Sequence, residues 1–305
     1  MFLARTLRSI VCVAQFTNPN GLLVGTLPHE RDKEVAVISD YFSLQGKKAL
    51  ITGAGKGIGA RIATAFAEMG ADVALIARTE SDLDAVASEV RALGREALTF
   101  VCDITDEESL DHVVSTLQTH WDSLDILINN AGAAGQGYGS LKKVTKARFV
   151  NTLDINLTSA YTLIHLALPM LQRAPAASII NVSSALAWMV DRNFAAYGAA
   201  KAGMDQMTRI LAYELAPNIR VNGIAPGAIE TPSTAFIAEN EAVHKATVRW
   251  IPQGRLGKPD DIALAALYLA SSAGGFVSGK IIEVDGGMAA LPGTAIEARI
   301  ARLDG

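Results

Sequence analysis

From Gly46 onward, short β-branched and apolar runs alternate with Ala-rich stretches whose apolar positions recur at helical spacing. Lys48 to Thr52 (KALIT) predicts a first strand, and a helix follows from about Ile58 to Met69. The pattern repeats with strands over Asp72 to Arg78, Ala97 to Cys102 and Leu124 to Asn129, and helices over Ser81 to Leu93 and Asp106 to His120. Longer helices around Ala147 to Leu171 and Ala195 to Leu215 flank a fifth strand, Ser178 to Val182 (SIINV). A sixth strand over Arg220 to Ile224, a helix near Asp260 to Ala270 and a last strand near Lys280 to Val284 complete the run. Such alternation predicts the α/β class: one Rossmann-like, doubly wound, parallel sheet of seven strands with helices on both faces. Ligands of such sheets sit at the carboxyl ends of the strands. No fixed-period repeat is present, which argues against a solenoid.

The first 42 residues break this rhythm. Met1 to Phe16 carries Arg5 and Arg8 and no acid, with a short apolar run from Ile10 to Ala14. It reads as a loosely docked extension, with a basic, acid-poor mitochondrial targeting peptide as the alternative. Asn18 to Gly21 reads as a turn and Glu30 to Glu34 as a solvated linker. The chain thus divides into an extension (1–42), a catalytic domain (43–287) and a tail (288–305).

Composition narrows the function classes. Half the residues are apolar but only 6% aromatic, so the core is built from Ala, Val, Ile and Leu. With 27 basic and 31 acidic residues the net charge is −4, which speaks against a nucleic-acid partner. Two cysteines, Cys12 and Cys102, are too few for a disulfide framework or a zinc site, and no metal is expected. A reducing, cytoplasmic setting is the simpler reading, and no apolar run is long enough to predict a membrane span.

The first strand runs into Thr52-Gly53-Ala54-Gly55-Lys56-Gly57-Ile58-Gly59. Glycines between a strand and a helix let the backbone approach a pyrophosphate, and the helix aims free N–H groups at the anion. Gly55, Gly57 and Ala60 satisfy the general dinucleotide spacing; Thr52, Gly53, Gly57 and Gly59 satisfy a second one. The second strand ends in Arg78, with no acid at its tip to bind a ribose 2′-hydroxyl. Arg78, with Lys56 in the loop, suits a 2′-phosphate instead, so NADP(H) is expected as cofactor and NAD(H) is the lesser alternative.

A Tyr and a Lys four residues apart share a helix face, and an ammonium near a phenol favours phenolate. The spacing occurs twice, at Tyr138/Lys142 and Tyr197/Lys201. Tyr138 lies in a Gly-rich, loop-like stretch (GAAGQGYGS), whereas Tyr197 lies in a helical one (FAAYGAAKAGMDQM). The strand upstream of Tyr197 delivers Ser183 and Ser184 at its carboxyl end; Ser184 can hold a carbonyl or alkoxide oxygen, while Ser183 reads as a strand-end cap.

Taken together, from about Phe42 to Gly287, these motifs resemble the short-chain dehydrogenase/reductase family. The resemblance implies a catalytic tetrad of Asn156 (in DINL), Ser184, Tyr197 and Lys201, with Lys201 lowering the Tyr197 pKa and binding the nicotinamide ribose. It implies cofactor contacts at the glycine loop, at Asp103 and Ile104, at Asn130-Ala131-Gly132, and at Pro226, Gly227, Ile229 and Thr231. Val284 to Gly287 matches the family's closing motif. TGAGKGIG with IARTESDL is similar to the NADPH-dependent carbonyl and xylulose reductases of that family, which supports Lys56 and Arg78 as 2′-phosphate ligands. A homotetramer or homodimer is implied as well, with the two long helices at the interface.

The expected reaction interconverts a small-molecule secondary alcohol and its ketone. Apolar residues after Ser184 (Ala185, Leu186, Ala187, Trp188, Met189), with Phe236 and Ile237, favour a hydrophobic substrate such as a hydroxysteroid. Ala212 to Thr231 resembles bacterial hydroxysteroid dehydrogenases and 3-oxoacyl carrier-protein reductases alike, so the latter activity is the alternative. A non-catalytic NADP(H)-binding redox sensor is the alternative of another class; it could lose the tetrad, which this chain retains.

Overall fold

The computed structural model describes residues 37–288. The targeting or extension reading of Met1 to Phe16, the turn at Asn18 to Gly21, the linker at Glu30 to Glu34 and the tail after Met288 lie outside the described residues. Ile38–Phe42, counted above with the extension, forms a 3-10 turn, and the Ser272 hydroxyl donates to the Tyr41 carbonyl at 2.9 Å.

Seven strands, β1 (Lys48–Thr52), β2 (Asp72–Ala77), β3 (Ala97–Val101), β4 (Ile126–Asn129), β5 (Ala177–Val182), β6 (Ile219–Pro226) and β7 (Ile281–Val284), form one sheet in the order β3-β2-β1-β4-β5-β6-β7. All pairings are parallel. The helices are α1 (Gly57–Glu68), α2 (Glu80–Ala92), α3 (Glu107–His120), α4 (Lys146–Leu153), α5 (Ser159–Arg173), α6 (Ala195–Glu214), α7 (Ala235–Glu239), α8 (Glu241–Val248) and α9 (Pro259–Ala270). The seven strands and the longer helices fall where the hydrophobic pattern predicts them. α7 and α8, between β6 and α9, were not predicted.

Alternate residues of the central strands feed two cores. Ala49, Ile51, Val73 and Leu75 pack with Ile62 and Phe66 of α1, Leu83 and Val90 of α2, and Ile262 and Ala266 of α9. Leu50, Ala74 and Ile76 point the other way, toward Leu110 and Leu117 of α3 and Leu163 and Met170 of α5. This two-sided burial explains why the strands read as continuous apolar runs. α3 shows the local logic: the Asp106 carboxylate accepts from the Glu108 N–H at 3.2 Å, and Glu107 and Glu108 complement the positive helix end.

The predicted long helix over Ala147 to Leu171 is not uniform. α4 and α5 are continuous through a π-helical turn, Asp154–Thr158, in which Asn156 is fully buried. A π-turn widens the helix and frees a carbonyl; the Asn156 side-chain N–H donates to the Thr152 carbonyl at 2.9 Å. Strand order reverses between β1 and β4, so the crevice beyond their carboxyl ends is the expected ligand position for this topology. Among the described residues, no helix is long and apolar enough to cross a membrane.

Candidate active site

The switch point is closed by Thr52. Its hydroxyl donates to the Ile128 carbonyl at 3.3 Å and accepts the N–H groups of Asn130 and Ala131, both at 3.0 Å. The Asn130 amide in turn donates to the Thr52 and Gly53 carbonyls at 3.0 and 3.2 Å. The loops after β1 and β4 are thereby fixed against each other. Gly53 has φ +64°, and a Cβ there would lie 2.9 Å from the Ala131 Cα. No side chain caps the start of α1 and its first turn carries no acid, so its N–H groups remain available to an anion. These features fit a dinucleotide pyrophosphate.

A cavity of about 390 Å³ opens at this point. Gly53, Lys56, Gly57, Ile58, Asn130, Ala131 and Gly132 line one side, and Ser184, Tyr197 and Lys201 line another. Pro226, Gly227, Ile229 and Thr231 close it from the end of β6. A Cβ on Gly57 would lie 3.3 Å from the Thr231 side chain, so the glycine loop and the β6 loop are in near contact. Thr52, Gly55 and Gly59 do not line the cavity. Gly59 is tightly packed, since a Cβ would lie 2.5 Å from the Asn130 amide nitrogen.

Arg78, Asp103 and Ile104 stand outside the cavity wall, past the ends of β2 and β3. Arg78 is exposed and close enough to Asp103 to help lower its pKa. The larger cause of that lowering is Thr105, whose N–H and hydroxyl donate to the Asp103 carboxylate at 3.0 and 2.8 Å. Lys56 is not a free cation: its Nζ is 2.9 Å from Asp82 Oδ2. The sequence pattern placed no acid at this end of β2, because Asp82 lies inside the first turn of α2 and only folding brings it back to the glycine loop.

The two Tyr/Lys pairs separate as the context predicts. Tyr138 and Lys142 lie in an exposed loop and turn, whereas Tyr197 and Lys201 lie one turn apart on α6. Ser184 extends from the end of β5, and its hydroxyl accepts the Leu186 N–H at 3.2 Å. Lys201 is fully buried, and its Nζ donates to the Val182 carbonyl at 2.8 Å. Burial pushes the Lys201 ammonium down to about 8, with the nearby Asp205 carboxylate opposing the shift.

Burial and Ser184 act on the Tyr197 phenol beside the influence expected of Lys201. Burial raises the Tyr197 pKa, and a hydrogen bond with Ser184 is what opposes the rise. Lys201 Nζ is held by Val182 and lies over the tyrosine ring, 5.7 Å from its centroid. Asn156 faces the loop after β4. Its amide donates to the Ala133 carbonyl at 2.7 Å, and its oxygen accepts the Ala133 N–H at 3.0 Å. A Cβ on Gly132 would lie 2.7 Å from that oxygen and 3.2 Å from Lys201 Nζ.

None of the expected apolar residues, Ala185 to Met189 with Phe236 and Ile237, lines the cavity. The cavity wall includes Ser233 and Thr234 but neither Trp188 nor Phe236, which are 39% and 61% exposed. An aromatic row missed by the sequence reading stands nearby instead. Tyr138 and Phe194 meet edge to face at 4.9 Å between ring centroids, and Phe194 and Tyr197 at 6.2 Å. The Gly139 N–H donates to the Asn193 carbonyl at 3.0 Å and ties the two loops together. Phe194, three residues before Tyr197, could have been singled out by its place on the preceding turn; nothing local points to Tyr138.

A family model described as enoyl-(acyl carrier protein) reductase matches residues 53–289. A 7α-hydroxysteroid dehydrogenase of Escherichia coli is 37% identical over 250 residues, covering 82% of this chain and 96% of that protein. Two solved structures superpose with a TM-score of 0.78 each. One is Pseudomonas aeruginosa RhlG with NADP, 34% identical, covering 82% of this chain and 99% of that one. The other is a 7α-hydroxysteroid dehydrogenase with NADH and 7-oxo glycochenodeoxycholic acid, 36% identical, covering 83% and 98%.

Proposed function

The chain belongs to the short-chain dehydrogenase/reductase family and is an oxidoreductase of alcohols and ketones that binds a nicotinamide cofactor; from that premise we propose that it interconverts a hydrophobic, hydroxysteroid-like secondary alcohol and its ketone, with NADP(H) preferred over NAD(H). The observation that carries this reading is the convergence of Ser184, Tyr197 and Lys201 on the cavity bordered by the glycine loop. When bound, the nicotinamide supplies or accepts a hydride. The Ser184 hydroxyl orients the substrate oxygen; the Tyr197 phenol gives a proton to that oxygen in reduction, and the Tyr197 phenolate takes the proton from it in oxidation. Lys201 would hold the cofactor ribose, and Asn156 fixes the loop at Ala133. Support for an apolar substrate comes from the Tyr138–Phe194–Tyr197 row, and from the steroid ligand of the similar solved structure. The glycine loop, Arg78, Asp103, Ile104, Asn130 to Gly132 and the β6 loop form the cofactor side of the proposal. The chain is proposed to assemble as a homotetramer or homodimer; exposed Tyr161 on α5 and Ile210 and Tyr213 on α6 support the long helices as the interface.

The test is NADPH oxidation against ketosteroids, acyl thioesters, diketones and keto-sugars. Turnover of ketosteroids that falls by about a thousandfold or more in Tyr197→Phe, with cofactor binding retained, is the expected result. Turnover confined to acyl thioesters would replace the steroid reading with the carrier-protein one. Tight NADPH binding without turnover of any carbonyl would favour a redox sensor.

A further inference from the structure

Beside the glycine loop stands a carboxylate that the cofactor preference does not explain. Lys56 Nζ is paired with Asp82 Oδ2 at 2.9 Å, with the Lys56 side chain 61% exposed and that of Asp82 21%. Asp82 also presses on the glycine loop itself. A Cβ on Gly55 would lie 3.0 Å from the Asp82 Cβ and 3.4 Å from the Ala77 Cβ at the end of β2. The carboxylate therefore stands at the glycine loop beside Lys56, one of the two cations that a 2′-phosphate would use, with Arg78 following directly after the end of β2. Arg78 is exposed and takes part in no ion pair among the described residues.

Resting on the reading of this cavity as a nicotinamide dinucleotide site, we infer that Asp82 is a specificity-determining residue, which limits the preference for NADPH over NADH by holding Lys56 and opposing a 2′-phosphate. A phosphate group at the 2′ position carries close to two negative charges and must draw Lys56 out of its pair. It does so beside a carboxylate that stays in place and repels it. A 2′-hydroxyl carries no charge and leaves the Lys56–Asp82 pair undisturbed. Arg78 supplies attraction and Asp82 counters it, so the chain discriminates less than Arg78 and Lys56 alone would make it. Both charges are partly in water, so the effect weakens as salt is raised.

The test uses the full chain and fragments that lack nicotinamide, so that binding is read without turnover. Affinities of 2′,5′-ADP and 5′-AMP are measured by calorimetry for the wild type, Asp82→Asn, Lys56→Ala and the double variant, with Asp84→Asn as a control for net charge on α2. Asp82→Asn is expected to tighten 2′,5′-ADP by about tenfold while 5′-AMP moves by less than about twofold. In the Lys56→Ala background the gain should shrink to about threefold or less, because part of it acts through the freed ammonium. No gain, an equal gain for both fragments, or the same gain from Asp84→Asn would overturn the role of Asp82. The wild-type ratio decides the cofactor reading separately. Equal wild-type affinities with a selective Asp82→Asn gain would overturn the NADP(H) preference and leave Asp82 standing. A wild-type preference for 2′,5′-ADP with no gain in the variant would do the reverse, and no binding of either fragment by any variant would overturn both.

Discussion

Replacing Lys201 by Met removes a buried cation while keeping an unbranched side chain of similar length. The fold holds this ammonium at a cost. Its pKa falls from 10.5 to about 8, chiefly through desolvation. At about 1.4 kcal/mol per unit, that shift corresponds to a penalty of about 3 kcal/mol whenever the group is charged in both the folded and unfolded states. The Val182 carbonyl at 2.8 Å and the nearby Asp205 carboxylate act on the side of the charged form. The diagnostic quantity is how the stability difference between the two proteins changes with pH. Below pH 8 both states of the wild type bind the proton and the penalty is present in full. Between about 8 and 10.5 the unfolded chain keeps the proton and the folded one does not, so wild-type stability rises with pH. Relative to Lys201→Met, the wild type should gain about 1.4 kcal/mol per pH unit across that window, about 3 kcal/mol in all. Urea unfolding of the cofactor-free proteins at fixed concentration, in steps from neutral pH to the edge of alkaline unfolding, measures this. Other titrating groups are common to both proteins. Parallel curves, with a difference constant to about 0.5 kcal/mol, would refute the account of Lys201 as a desolvated cation.

Three further outcomes follow from the same geometry. Because burial raises the Tyr197 phenol above its ordinary 10.0, the phenolate absorbance that disappears in Tyr197→Phe should develop only above pH 10 in the cofactor-free protein; its appearance at about pH 7 to 8 would refute this. In the same direction, ketone reduction should persist through neutral pH and alcohol oxidation should climb as pH rises. Gly132→Ala forces a methyl to 2.7 Å from Asn156 Oδ1 and 3.2 Å from Lys201 Nζ, and turnover should fall at least about tenfold with a stability loss of about 1–3 kcal/mol; unchanged kinetics would show that the loop shifts freely. The Cys102 thiol is buried and pushed up to about 11 by desolvation and by Asp103 and Asp106, so peptide mapping should find it unalkylated by iodoacetamide at neutral pH until the protein is unfolded.

What the sequence determined by itself is the repeating unit. Two-sided burial makes β1, β2, β4, β5 and β6 read as apolar runs, helical spacing marks α1 to α6 and α9, and glycines at fixed offsets mark the loop where backbone must approach an anion. The distinction between Tyr138/Lys142 and Tyr197/Lys201 was also legible, because Gly-rich and Ala-rich surroundings differ in helix propensity. The tertiary structure alone decided the electrostatics. Asp82 pairs with Lys56 across 26 positions of the chain only because α2 folds back against the glycine loop. Lys201 stands over the Tyr197 ring with its ammonium held by the Val182 carbonyl, at the end of a different element. The π-turn around Asn156 and the Tyr138–Phe194 contact belong to the same class. Periodicity is set by bonds between near neighbours in sequence, whereas charge, burial and ring contacts depend on which groups the packed sheet brings together.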